Sequence, residues 1–402
     1  MLNDEPPRWM GWLVLAAMTA VQTTSSFAAL TLASIAPEVA NGLGVPPSLI
    51  GYQISLAYGG GILTSLLVGG LIPRWGACRT AQCALLLVGG GCAMCSIPHV
   101  AAVAAGSLIM GFGYGLTNPS ASHLLTRFAD RRRRNLIFAI KQSGVPLGGF
   151  LAGLVAPPIA LTFGWQWAPL AVSMASFALM VALQIMRRSW DDDRDPSGRG
   201  RESPAGGLAL MWRLAPLRWI SITAFFYSVV QLCLVTFLVT LLVTEQDFTL
   251  LEAGIVLSLV QAAGVCGRIA WAWLADRTRA GLVVFTALGL IMAVATVTVM
   301  GVTPDWPGFG IKAIFVLLGF TAVGWNGIYL AEIARFSPPG KVGAATGGSL
   351  VLAFSGVLVG PSLFAVAYSG IGSYGTTFGL LGVAAVAGMV TAALARASAR
   401  EM

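Results

Sequence analysis

Arg268 stands in an apolar run, eight residues before the charged pair Asp276-Arg277. If the run is a helix that ends at this pair, the guanidinium lies roughly 12 Å inside it at 1.5 Å per residue. An arginine at that depth needs a partner or water and marks a functional site by default. Its planar fork fits a carboxylate through two hydrogen bonds. Gln261 and Gly264, seven and four residues earlier, share its helical face, and the glycine leaves room beside the cation. Lys141 is the second cation in an apolar stretch, roughly 10 Å beyond Arg134. It reads as a second anion contact, or as a gating charge paired with Glu332. Glu332 lies three residues before Arg335 and alternatively carries a proton.

Neutral polar residues form a further set. Gln22 and Thr23 lie early, Tyr114 and Asn118 one turn apart, and Tyr227 and Gln231 at the same spacing, followed by Trp325, Asn326 and Tyr329. Such residues either line a pocket, with aromatic rings against an apolar body and amides orienting its polar end, or hydrogen-bond between helices. Cys92 and Cys95 have no second Cys/His cluster, so the six cysteines read as packing residues and no metal is expected. His123, one turn before Arg127, reads as a packing or loop-capping residue. No nucleophile–base pair, phosphate loop or ATP-hydrolysis motif is visible, so neither an enzyme nor a primary pump is expected, and no cofactor.

These residues sit in a chain that lacks the charge to face water. Of 402 residues, 56% are hydrophobic and only 10% charged, against roughly 25% in soluble domains. The 49 glycines suit closely packed membrane helices. Apolar runs of about 20 residues predict twelve spans, near 10–35, 50–72, 79–98, 101–127, 135–160, 165–187, 217–244, 252–275, 281–302, 310–334, 343–368 and 374–396. Trp9 and Trp12 mark an interface at the first span, which lacks a cleavage-site pattern and reads as a retained helix. With both termini cytoplasmic, all but three of the 24 Lys and Arg fall on the inner side. The three are Lys312, Lys141 and Arg268. The run Arg131, Arg132, Arg133, Arg134 and the stretch from Arg187 to Arg218 dominate this bias. The net charge of +8 is thus a topology signal, and nucleic acid is not expected as a partner.

Residues 189–214 are the one long polar stretch and read as a mobile cytoplasmic linker. They divide the chain into six-span domains at 1–188 and 215–402. The halves repeat each other. Gly111-Phe112, Asn118 and Arg127-Phe128 recur as Gly319-Phe320, Asn326 and Arg335-Phe336, at an offset of 208. Ser143-Gly144-Val145 with Gly148 recurs as Ser355-Gly356-Val357 with Gly360, at 212. Gly51, Ser55, Gly61 and Arg74 recur as Gly254, Ser258, Gly264 and Arg277, at 203. Two pseudo-symmetric six-helix bundles are a transporter architecture.

Across nearly its whole length the chain resembles the major facilitator superfamily. That family carries Gly-x-x-x-Asp-Arg-x-Gly-Arg/Lys between its second and third helices, with a degenerate copy between the eighth and ninth. Leu274-Ala275-Asp276-Arg277 matches the second copy. In the first, Gly69, Arg74 and Gly76 remain but Pro73 replaces the usual Asp. The resemblance implies cavity-lining roles for the first, fourth, seventh and tenth spans, and gating roles for Asp276 and Arg277. The stretch Gly267 to Arg277 resembles the eighth helix of the organic-anion branches, the monocarboxylate porters and oxalate–formate exchangers. There the arginine contacts substrate carboxylate, which implies that role for Arg268. The lysine that the oxalate–formate exchangers carry on their eleventh helix is missing, which argues against a dicarboxylate. Gly144-Val145-Pro146-Leu147-Gly148-Gly149 resembles the drug–antiporter motif with its Pro displaced by one position, and reads as a packing and hinge element. Ser107 replaces those antiporters' arginine, and Ser65 occupies the position of the nitrate porters' second arginine.

The reading is an all-α, twelve-helix transporter of the major facilitator fold in the cytoplasmic (inner) membrane, working as a monomer by alternating access. It takes a small organic anion, a monocarboxylate in first place, with the proton as coupling ion. A drug or metabolite exporter and a non-transporting membrane sensor are the alternatives.

Overall fold

The computed structural model describes residues 8–67, 72–128, 134–194, 204–338 and 341–400. Gly69 of the eroded motif, Arg131, Arg132 and Arg133 of the basic run, and 195–203 of the expected linker lie outside the described residues. Among the described residues every regular element is a helix. In order they are α1 Arg8–Thr31, α2 Ala36–Leu43, α3 Ile50–Leu67, α4 Ile72–Trp75, α5 Ala77–Cys95, α6 Val100–Phe128, α7 Arg134–Gln142, α8 Gly144–Phe163 and α9 Trp167–Leu183. They continue as α10 Arg187–Trp190, α11 Pro204–Arg213, α12 Ala215–Glu245, α13 Leu250–Thr278, α14 Gly281–Val299, α15 Gly308–Leu318, α16 Asn326–Phe336, α17 Val342–Ile371 and α18 Tyr374–Arg400. Short 3-10 turns precede α2 and α3, and a π-helical segment, Gly319–Val323, joins α15 toward α16.

Among the described residues, ten helical spans are long and apolar enough to cross a membrane; α7 with α8, and α15 with α16, each count as one. The chain is therefore a multi-pass membrane protein. Twelve were expected. The other two fall on α3, 18 residues that include Gln53 and three adjacent glycines, and on α9, 17 residues long.

The chain forms two compact units. Unit 1 is 1–32, 56–152 and 159–201, and unit 2 is 33–55, 153–158 and 202–402. Their borders differ from the expected 1–188 and 215–402 because Ala33–Ser55 and Gly153–Pro158 cluster with the C-terminal residues. Unit 1 is built round Val14, Met18, Val21, Ala81, Leu85, Leu124 and Trp190. Cys92 and Met110 lie in its second apolar cluster. Among the cysteines, Cys78, Cys92, Cys95 and Cys233 are buried as expected, whereas Cys266 is exposed on α13.

With no water in an apolar layer, helices gain by approaching closely, and small residues permit it. A Cβ on Gly91 would stand 2.5 Å from the Gly106 carbonyl oxygen, so α5 and α6 touch backbone to backbone there. Gly148 on α8 sits against Thr23 and Ser26 of α1. The Gly-Pro stretch therefore packs on α1, while Gly153, one turn and a half further on, meets Gly254 of α13 inside unit 2. α7 passes into α8 at Ser143, which keeps helical backbone angles.

The stretch expected to be a mobile linker is ordered at both described ends. Asp191 accepts hydrogen bonds from the backbone N–H groups of Cys78 (2.7 Å) and Arg79 (3.0 Å), capping α5. Arg127 pairs with Asp192, and with Asp193 at 3.0 Å, while His123 meets Asp193 at 2.8 Å. These are polar clasps, and they explain why His123 and Arg127 stand one turn apart. In unit 2, Gly207 of α11 and Gly348 of α17 lie backbone against backbone.

Gly76 shows why one residue of the eroded motif persists. Its φ is +93°, a conformation that side chains resist, and a Cβ would overlap the Asp191 carboxylate. Burial pushes the Asp191 carboxyl up, and the Cys78 and Arg79 amides pull it back. A raised carboxyl favours its protonated form in the fold, so its contribution is fullest below the ordinary Asp range and declines as pH rises. Asp191→Ala, losing both acceptor oxygens, should lower stability by about 1–2 kcal/mol. Asp191→Asn, which keeps one acceptor and discards the buried charge, should cost less. Gly76→Ala should be at least as harmful, and the double variant should fall short of the sum, because both changes displace the same carboxylate. Thermal melting in detergent reads all four; strict additivity would separate the two residues.

Candidate substrate site

Lys141 in unit 1 is buried and Arg268 in unit 2 half-buried, and each bonds to the protein's own dipoles. In unit 1, Lys141 on α7 is only 3% exposed. Its ammonium donates to Gln22 Oε1 of α1 (2.8 Å), to Gln142 Oε1 (3.1 Å), and to Asn118 Oδ1 of α6. Thr117 also donates to Gln22 Oε1, at 3.3 Å, and the Gln22 amide nitrogen reaches Ser26 at 3.3 Å. Three amide oxygens thus share a positive charge, and among the described residues of this unit no carboxylate lies within ion-pair reach of it. Tyr114, one turn before Asn118, packs edge-on against Tyr58 with ring centres 5.3 Å apart.

In unit 2, Arg268 is half-buried on α13, and its Nε–H donates to the Val323 carbonyl at 3.2 Å. Trp271, three residues later, donates its indole N–H to the Phe320 carbonyl at 2.8 Å. Both acceptors belong to the π-helical segment Gly319–Val323. A π turn shifts the helical hydrogen-bond ladder, and such turns recur at functional sites. Here carbonyls of the segment turn to side chains of a neighbouring helix. The approach needs small residues: a Cβ on Gly267 would overlap the Phe320 carbonyl oxygen, and one on Gly327 would stand 2.6 Å from that of Arg268. Gln261, two turns earlier on the same face of α13, is buried, and Gly264 lies against Val323.

Just beyond the π segment, Gln231 Oε1 on α12 accepts from Trp325 Nε1 (2.9 Å) and Asn326 Nδ2 (3.2 Å). A pattern links the units. Gln22 with Asn118 and Gln231 with Asn326 are the same residue types at near-constant offset. In unit 1 the lysine joins the two amides; in unit 2 they bond directly.

The aromatic members of the expected ring are used by the fold. Tyr227 is fully buried and its hydroxyl donates to the Phe285 carbonyl at 2.7 Å. Tyr329 is buried and donates to Ser349 Oγ at 2.7 Å, which Ser221 also reaches at 2.6 Å. Trp325 is buried among Tyr227, Phe285 and Tyr329. Glu332 is buried as well. Its carboxylate accepts from Arg335 on the next turn at 3.4 Å and fills the space beside Gly281; Arg335 and Asp276 are the charged groups that act on it. The partner of Glu332 is therefore Arg335, and Lys141 is held by amides. Asp276 and Arg277 are exposed at the end of α13. Ser107 and Ser65 bond to helix carbonyls, at 2.7 Å to Val103 and at 2.8 and 3.1 Å to Gly61 and Gly115.

Gln142, Trp271 and the π segment went unnoticed in the sequence. Gln142 adjoins Lys141, and Trp271 lies three residues from Arg268, so adjacency and helical spacing were the available signals for both.

Comparison with known proteins adds the family. The chain is 27% identical over 327 residues to the gentisate transporter of Corynebacterium glutamicum, covering 77% of this chain and 70% of that one. It is 25% identical over 182 residues to the 4-hydroxybenzoate transporter PcaK of Acinetobacter baylyi, covering 43% and 40%. A crystal structure of a bacterial homologue of the human lysosomal transporter Spinster, in an inward-facing and occupied conformation, superposes with a TM-score of 0.76. The identity is 15%, with 97% of each chain covered, which shows a shared fold. The Major Facilitator Superfamily family model matches residues 15–361, and the chain belongs to that superfamily.

Proposed function

We propose that this chain is a secondary transporter of small organic anions in the inner membrane, and that its substrate is an aromatic monocarboxylate. The carrying observation is Arg268, a guanidinium oriented by the Val323 carbonyl inside a membrane-spanning helix. With Nε directed at the backbone, the plane of the fork is set, which suits two-point binding of a carboxylate. The relatives' substrates, gentisate and 4-hydroxybenzoate, are aromatic carboxylates, and this supports extending the reading from small organic anions to aromatic ones. Gln231 and Asn326 stand on the adjoining helices as amides able to orient a ring hydroxyl.

In this reading transport runs by alternating access between six-span bundles, in a monomer with both termini inside. Lys141 is a gating charge: an ammonium balanced by amide dipoles responds strongly to any arriving anion. Glu332 carries the coupling proton, assisted by the Arg335–Asp276 surroundings. The tie between Arg268 and Val323 also fits a purely structural arginine, and that is the exporter alternative.

Purified protein in detergent should be stabilised by 4-hydroxybenzoate or gentisate in proportion to ligand concentration. Arg268→Lys keeps the charge but loses the fork, and should weaken binding roughly 10- to 100-fold, the scale of a charged hydrogen bond. A neutral or cationic compound that stabilises wild type and Arg268→Ala equally would favour the exporter instead. In proteoliposomes, Glu332→Gln should make uptake indifferent to an imposed pH gradient that drives it in the wild type; retained gradient dependence would remove Glu332 from coupling. Lys141→Met should abolish uptake more completely than Lys141→Arg, while equal activity in both would assign Lys141 to packing alone.

A further inference from the structure

A groove of about 320 Å³ lies on the outer surface of unit 1, between α5 and α9 and close to α10. This is the lower end of small-molecule sites, which run from about 300 to 1,000 Å³. One end is cationic: Arg79, in the first turn of α5, and Arg187, which opens α10. Among the described residues neither guanidinium makes a salt bridge. Asp191, the carboxylate that Arg187 acts on, spends both oxygens on the Cys78 and Arg79 backbone amides. Between the helices Gln82 donates to Gln184 at 2.9 Å and to the Met180 carbonyl at 3.2 Å, so the groove has a polar floor below the arginines.

The other end is apolar and open. Leu86, seven residues along α5 from Arg79 and so about 10 Å deeper, is 51% exposed, and Val181 on α9 is 65% exposed. Trp75, exposed one turn before Arg79, is a residue that favours the membrane–water interface. The arginines are therefore at headgroup level, and Leu86 and Val181 face hydrocarbon. A soluble anion would use only the upper half.

We propose that this groove binds one anionic phospholipid, with its phosphate between Arg79 and Arg187 and an acyl chain along Leu86 and Val181. Basic recesses between membrane helices bind such headgroups through charge–phosphate contacts, and two arginines satisfy that chemistry. The inference is independent of Arg268 and of the substrate.

The test is lipid retention by purified, delipidated protein, read by native mass spectrometry with phosphatidylglycerol and phosphatidylcholine of matched chains. Wild type should retain phosphatidylglycerol in preference to phosphatidylcholine. Arg79→Gln with Arg187→Gln should weaken phosphatidylglycerol roughly 30-fold, the scale of two charge contacts near a membrane surface, and leave phosphatidylcholine unchanged. Val181→Trp, which fills the apolar half and keeps both arginines, should weaken it too. Inorganic phosphate should give no thermal stabilisation. Equal phosphatidylglycerol retention by wild type and both variants would overturn the proposal, and so would stabilisation by inorganic phosphate alone that vanishes with the arginines.

Discussion

A cation inside an apolar bundle has to be solvated by the protein itself, because lipid offers no dipoles. The two centres of this molecule are two answers to that constraint. Lys141 is surrounded by amide oxygens from α1, α6 and its own helix. Arg268 is held by a backbone carbonyl that a helix would ordinarily keep for itself, and the π segment is what directs it outward. Amide and carbonyl oxygens thus stabilise each charge in place. A site of that kind attracts an anion, which is the property a carrier of organic acids needs.

The rest of the structure brings the dipoles within reach. Gly267, Gly319 and Gly327 let α13 lie against the π segment closely enough for Arg268 and Trp271 to reach its carbonyls. Gly144 and Gly148 seat α8 on α1, beside Gln22. The same economy governs the polar surface. The three consecutive aspartates after α10 are each used: Asp191 on a helix start, Asp192 and Asp193 on Arg127, and Asp193 again on His123.

Much of this was legible in the sequence, for a physical reason. A charge in an apolar run is conspicuous because it is costly, so Arg268, Lys141 and Glu332 stand out by hydropathy alone. Twofold repetition made the family and the all-helical fold readable from Asn118 and Asn326 and their neighbours. Partnership was harder. The oxygens around Lys141 come from residues 119 and 23 positions away as well as from its neighbour, and no periodicity announces them. Nor does hydropathy say which face of a mostly apolar helix turns inward. Tyr227, Trp325 and Tyr329 therefore read as pocket residues, yet they lie buried with their hydrogen bonds made inside unit 2. A π turn leaves no compositional trace, and α3 and α9 show how a short or glycine-rich helix falls below any count made on length and apolarity.

Recognition of a carboxylate by Arg268 separates a carrier of organic acids from a fold with a structural arginine. The direct measurement is equilibrium binding of 4-hydroxybenzoate and of its neutral isostere 4-hydroxybenzamide, to wild type and to Arg268→Gln. Wild type should prefer the acid by at least the worth of a charged hydrogen bond, about 1.5–3 kcal/mol, and the variant should bind the two compounds alike. A preference for the acid that survives the substitution would place the recognition elsewhere and leave Arg268 as a brace for the π segment.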